Sequence, residues 1–86
     1  MTVPPVATLY TRDGCHLCDE ARQQLLALRD GGLDMELREV DIEDDDGLHA
    51  RFLERIPVIE VGGEIVCELG CEEQAVRAAI TSGHVR

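Results

Sequence analysis

The chain has 86 residues, which is room for a single domain spanning 1–86. Hydrophobic residues make up 44% of it, so it can fold, although a chain this short buries only about 60–65% of its unfolded surface and its core is thin. Acidic residues number 18 against 8 basic ones, and a formal net charge of −10 argues against nucleic acid or an anionic membrane as a partner.

The opening MTVPP reads as a short leader, since two prolines suit an extended or irregular start. It has no basic segment and no apolar segment of the kind that marks a secretory signal, and no later apolar run approaches membrane length. Four cysteines without such a signal point to a reducing, cytoplasmic setting. There, paired cysteines are more often catalytic, redox-sensing or metal-binding than structural.

VATLY at 6–10 is a short apolar run rich in strand formers, and TRDG at 11–14 reads as a turn. From Cys15 to about Arg29 the pattern is helical. Leu17, Ala21, Leu25 and Leu28 recur on one face, and the glycines of DGG at 30–32 end the helix. MELREVDI at 35–42 reads as a second strand. The acidic stretch EDDDG at 43–47 is either a solvated loop or a helix start, where negative charge is favoured. LHARFLER at 48–55 holds two helical turns, with Leu48, Phe52 and Leu53 apolar. IPVIEV and EIVCEL, separated by Gly62 and Gly63, predict a β-hairpin. CEEQAVRAAITSG at 71–83 is helical, with a stripe of Val76, Ala79 and Ile80 and a stop at Gly83.

The predicted order is therefore β-α-β-α-β-β-α: an α/β domain with one four-stranded mixed sheet flanked by three helices. The first three elements form a βαβ unit with parallel strands, and the last two strands pair antiparallel. Cys15 and Cys18 stand where the first strand passes into the first helix.

The C-x-x-C spacing by itself allows a metal clip, a structural disulfide or a reversible redox pair. Cys67, Cys71 and the three histidines could complete a zinc site with Cys15 and Cys18, although the three-residue gap between Cys67 and Cys71 is untypical of a second clip. Next to a βαβ pattern, the redox reading is favoured. Cys15 at a helix N-terminus meets unpaired N–H groups and the positive end of the dipole, which stabilise thiolate over thiol. Cys18, three residues on, shares its face and can resolve a mixed disulfide formed on Cys15. A fall in thiol pKa from about 8.5 to about 6 would raise the thiolate fraction at pH 7 from roughly 3% to roughly 90%. Lower basicity takes back about 10- to 20-fold in nucleophilicity, so the net gain in attack is only about 2-fold. The larger benefit is a better leaving group. Cys67 is expected to pack as a small apolar residue. Cys71 is expected at a helix N-cap that favours its thiolate. His16, at i+1 from the nucleophile, is either an exposed bystander or a tuner of the thiolate.

LYTRDGCHLCDEARQQLL followed by RIPVIEVGGEIV resembles the glutaredoxin side of the thioredoxin-fold superfamily, and most of all the small bacterial glutaredoxin-like proteins with C-x-L-C. The resemblance runs from about Val6 to about Ile80. It implies a thioredoxin-like fold and a thiol–disulfide oxidoreductase with Cys15 and Cys18 as catalytic residues. It also implies a substrate surface formed by Tyr10 and Arg12 ahead of the motif, His16 and Leu17 within it, a cis Ile56–Pro57 loop facing Cys15, and the Gly70–Cys71 turn. The implied substrates are protein disulfides or mixed disulfides with a small thiol. Electrons would come from glutathione, another low-molecular-weight thiol or a protein reductase, with no tightly bound cofactor and no metal, in a monomer.

The sequence also departs from the common glutaredoxin pattern. His16 and Leu17 replace the proline and tyrosine of C-P-Y-C, Arg55 stands where a threonine is usual, and Gly70–Cys71–Glu72–Glu73 lies about two residues too far past Pro57. Arg12 and Arg55 are the cations offered to an anionic thiol, against Asp13, Asp19 and Glu20, so weak and salt-sensitive glutathione use is expected. The alternative of another class is a non-enzymatic module of this fold that binds zinc or a protein partner.

Overall fold

A computed structural model describes residues 4–82. The elements are β1 (Val6–Thr11), α1 (His16–Asp30), β2 (Glu36–Asp41), a 3₁₀ turn (Ile42–Asp44), α2 (Asp46–Phe52), β3 (Val58–Val61), β4 (Glu64–Glu68) and α3 (Glu73–Ser82). The expected order is found. The first residues of the leader, the stop assigned to Gly83, and His84 lie outside the described residues.

The strands form one sheet in the order β2-β1-β3-β4. β1 pairs parallel with β2, Val6 opposite Glu36, and antiparallel with β3, Tyr10 opposite Val58. β3 and β4 form the expected hairpin. Gly62 and Gly63, at φ 61° and 88°, supply the two left-handed positions that a two-residue connection of this kind requires. β2 lies at one edge, and alternating charged residues such as Glu36 and Arg38 keep that edge soluble.

Alternation along the strands sorts side chains onto two faces. Ala7, Leu9, Ile59 and Val61 face α1 and α3, which contribute Ala21, Leu25, Leu28, Val76 and Ile80 to the main core. On the opposite face Val58 meets Ile42 and Phe52, with Tyr10, Leu48, Ile56 and Ile65 packed around them. The Tyr10 and Phe52 rings lie 4.7 Å apart. Burying each large core side chain contributes about 1.5–3 kcal/mol. Among the described residues the second face has three fully buried members, and Phe52 is the largest.

Three local expectations are refined. The buried stripe of α1 begins at Cys18 rather than Leu17, which is 50% exposed. Side chains in a helix lean toward its N-terminus, so Leu17 reaches past the start of α1 and beyond the cover of the sheet. The acidic stretch is both of the alternatives in turn. The Asp41 carboxylate caps the 3₁₀ turn by accepting from the Glu43 N–H, and the Asp45 carboxylate caps α2 by accepting from the Leu48 N–H. α2 ends at Phe52, leaving Leu53 exposed.

Phe52 is the fully buried side chain that ties α2 to the sheet, with Leu48 packed only partly buried beside it. Phe52→Ala is expected to lose about 3–5 kcal/mol in urea unfolding, a large share of the roughly 4–13 kcal/mol available to a chain of this length. A loss below about 1 kcal/mol would show that α2 is held by something else.

Candidate active site

The β1–α1 connection is a tight turn, closed by a hydrogen bond from the Cys15 N–H to the Arg12 carbonyl at 3.3 Å. Gly14 sits at φ 81° in that turn, a conformation that strains any residue with a Cβ. The turn delivers Cys15 to the N-cap of α1 in extended conformation, and the Cys15 Sγ accepts a hydrogen bond from the Cys18 N–H at 3.1 Å. A sulfur at this position receives both the open N–H groups and the dipole of a 15-residue helix. Cys15 and Cys18 are joined as a disulfide with Cα atoms 5.2 Å apart, within the normal range for the bond. The two sulfurs differ in access. Cys15 is partly exposed, whereas Cys18 is fully buried.

Sheet register brings two further segments to the same end. One residue beyond the pairs Tyr10–Val58 and Val58–Glu68 stand Thr11, Pro57 and Leu69, in a row across the sheet. The Ile56–Pro57 peptide is cis, and Pro57 is fully buried. The Leu69 N–H donates to the Pro57 carbonyl at 2.9 Å and to the Arg55 carbonyl at 3.0 Å, stitching the β4–α3 segment to the Arg55–Pro57 segment. Ile56 leans on the second core, and Gly70 and Cys71 follow Leu69 toward α3.

The other expected residues are placed unevenly. Tyr10 is turned to the α2 face, where its hydroxyl donates to Glu60 at 2.9 Å, and burial together with that bond raises its pKa. His16 points outward and lies 3.0 Å from Glu20, one turn along α1, with 86% of its side chain exposed. Arg12 is paired with Glu43 at 2.7 Å, and Arg55 is paired with Glu68. An open cavity of about 490 Å³ beside the Arg12–Gly14 turn is lined by five acidic residues, Asp13, Asp19, Glu39, Asp41 and Asp44, against Arg12 and Arg22. The two cations expected to attract an anionic thiol are thus both already engaged, in surroundings rich in carboxylates.

Cys71 departs from expectation. α3 starts at Glu73, so Cys71 precedes the helix by two residues instead of capping it. It packs against the main core, and burial, followed by the neighbouring Cys67, Glu73 and Glu72, pushes its thiol up to about 11. Its thiolate is disfavoured. Cys67 is buried as expected, its Sγ accepting from the Glu72 N–H at 3.3 Å, and burial pushes its thiol up as well. Among the described residues, no group of three or more His, Cys, Asp or Glu is disposed to hold a metal ion. No helix among them is long and apolar enough to cross a membrane.

Residues 6–81 match the family model described as Glutaredoxin-like domain (DUF836). The chain belongs to this glutaredoxin-like family. A solved structure from X. campestris is 32% identical, with a TM-score of 0.68 over 88% of this chain and 96% of the other. The solution structure of a Nitrosomonas europaea protein is 24% identical, with a TM-score of 0.79 over 93% of this chain and 95% of the other. A thioredoxin variant from Halobacterium salinarum, 21% identical with a TM-score of 0.64 over 92% of this chain and 74% of the other, shares the thioredoxin-like fold. Among curated proteins none matches the chain. In this glutaredoxin-like domain the paired cysteines, the Ile56–Pro57 segment and the Gly70–Cys71 turn all stand at one end of the sheet.

Three features of this end were not marked in the sequence. Glu43 and Glu68, the partners of the two arginines, lie 31 and 13 residues away from them, and no local pattern links them. Leu69, read as the last residue of a strand, instead follows β4 in the left-handed conformation at φ 63°.

The placement of Cys71 yields a pH test. In the reduced protein, a high pKa means little thiolate at neutral pH and steadily more as pH rises. Alkylation of Cys71 by iodoacetamide, followed by mass spectrometry, is expected to climb about 10-fold per pH unit from about 7 to about 10 without levelling. A plateau near pH 9 would reveal an ordinary, exposed thiol.

Proposed function

We propose that the chain is a thiol–disulfide oxidoreductase in which Cys15 and Cys18 form the redox pair. The observation that carries this reading is the asymmetry of the pair. The partly exposed Cys15 Sγ caps α1 and takes the Cys18 N–H at 3.1 Å, while Cys18 is fully buried one turn below. A capped sulfur is stabilised as an anion, so Cys15 suits the role of attacking and leaving group. A buried sulfur at three residues' distance suits the role of resolving group.

In the reducing direction, the Cys15 thiolate attacks one sulfur of a substrate disulfide. A Cys15–substrate disulfide forms, and the other substrate sulfur leaves as a thiolate that takes a proton from water. The Cys18 thiol then loses its proton and attacks Cys15 Sγ, releasing the second substrate sulfur, which is protonated in turn. Two electrons have passed from the cysteine pair to the substrate, and the Cys15–Cys18 disulfide remains. An external thiol or a protein reductase returns the pair to the dithiol. Protein disulfides or mixed disulfides with a small thiol fit this chemistry, and no bound cofactor enters it. Cys15→Ser is expected to abolish turnover of a peptide disulfide, and Cys18→Ser to accumulate the Cys15–substrate disulfide, read by mass spectrometry under non-reducing conditions. A Cys15→Ser protein that still forms a substrate adduct through Cys18 would overturn the assignment.

Charge supports a poor fit to glutathione as the electron donor. Glutathione is a net anion, and Arg12 and Arg55 are held by Glu43 and Glu68. Exposed pairs of this kind are weak, and releasing one changes binding by up to about 5-fold. Glu43→Gln and Glu68→Gln, which release one arginine each, are therefore expected to lower the KM for glutathione by about 2- to 5-fold, with the gain fading at high salt. Unchanged KM values in both variants would remove the arginines from glutathione recognition.

A further inference from the structure

A single exposed leucine on a protein surface needs no explanation. Leu69 differs, because it is 61% exposed and also the one non-glycine residue among those described with positive φ, at 63°. A branched side chain in this region is disfavoured by roughly 1–2 kcal/mol relative to glycine, which adopts it freely. Nothing in the fold asks for a leucine here. Its side chain belongs to neither core cluster, and its two hydrogen bonds to the Arg55–Pro57 segment are made by its backbone N–H. A glycine would make the same two hydrogen bonds without the strain.

The segment is also held in place. The N–H of Leu69 is divided between two carbonyls, and the adjacent Glu68 pairs with Arg55. The leucine is thus presented on a fixed backbone beside Pro57, in the row that the register lays across the Cys15 end of the sheet. A second exposed leucine, Leu17, lies between the paired cysteines.

We infer that Leu69 is a specificity-determining residue, held in a strained conformation so that its side chain packs on an apolar residue flanking the disulfide of a polypeptide substrate. This inference rests on the redox reading of Cys15 and Cys18 and names the substrate class for that site. The substrate is an oxidised polypeptide with an apolar side chain beside its cysteine, in preference to one with a carboxylate there. No covalent step is added to the exchange already described.

The test compares two synthetic peptide disulfides that differ only in the residue next to the cysteine, leucine in one and glutamate in the other. The full chain and its Leu69→Gly and Leu69→Asn variants are assayed on both, with dithiothreitol as reductant. Asparagine tolerates positive φ, so it removes the apolar surface while retaining a side chain. The ratio of kcat/KM for the leucine peptide to that for the glutamate peptide is expected to fall about 5- to 10-fold in both variants, the size expected for losing part of one leucine's burial. The urea midpoint of Leu69→Gly is expected to stay level or rise. An unchanged ratio would overturn the inference while leaving the redox reading intact. So would an equal loss on both peptides, which would mark Leu69 as a support of the site. A parent chain that reduces neither peptide nor hydroxyethyl disulfide would overturn the redox reading itself, and this inference with it.

Discussion

A sulfur set at the open N–H groups of a helix is the constraint around which this small fold is arranged. The Cys15 Sγ occupies the position that Ser, Thr, Asp or Asn would normally fill, and it accepts the hydrogen bond that such a cap accepts. That geometry needs a strand that ends one turn short of the helix, a glycine at positive φ to turn the chain, and a helix long enough to develop its dipole. It also needs Cys18 to be driven inward. The stripe of Cys18, Ala21, Leu25 and Leu28 does this, because burying its apolar members against β1 and β3 fixes the rotation of α1 about its axis.

The same register that builds the core assembles the rest of the site end. Because β1 runs antiparallel to β3 and β3 antiparallel to β4, the end of β1, the start of β3 and the end of β4 fall side by side. Three connections that are distant in sequence thereby meet at the sheet end from which the chain passes to Cys15. Their charges are balanced locally, Arg12 by Glu43 and Arg55 by Glu68, so the net acidity of the chain is not relieved where an anionic thiol would have to approach. Leu17 and Leu69 are left exposed instead.

The fold was legible wherever the sequence carried a period or a special backbone residue. The apolar run of β1, the 3.6-residue stripe of α1 and the Gly62–Gly63 pair each marked an element. The paired cysteines were legible for a related reason, since their spacing and their place after a strand are local facts. What escaped were properties set by tertiary packing. Leu17 fits the apolar period but overhangs the sheet, so the stripe passes to Cys18. Cys71 precedes two glutamates, which suggests a cap, yet the helix begins beyond it and the core takes its side chain. Leu69 looks like one more strand residue. Its left-handed φ is imposed by carbonyls of a segment twelve or more residues earlier. The ion pairs of Arg12 and Arg55 are likewise long-range, and a reading confined to neighbouring charges left both arginines open.

The thiolate titration of the reduced protein tests the central claim most directly. Thiolate absorbance in the ultraviolet, followed against pH in the parent chain and in Cys15→Ser and Cys18→Ser, counts the thiols that ionise and assigns them. If Cys15 is activated by its place at the start of α1, one thiol ionises well below the usual value of about 8.5. That ionisation disappears in Cys15→Ser and persists in Cys18→Ser. No thiolate below about pH 8, or an acidic thiol that survives in Cys15→Ser, would contradict the account.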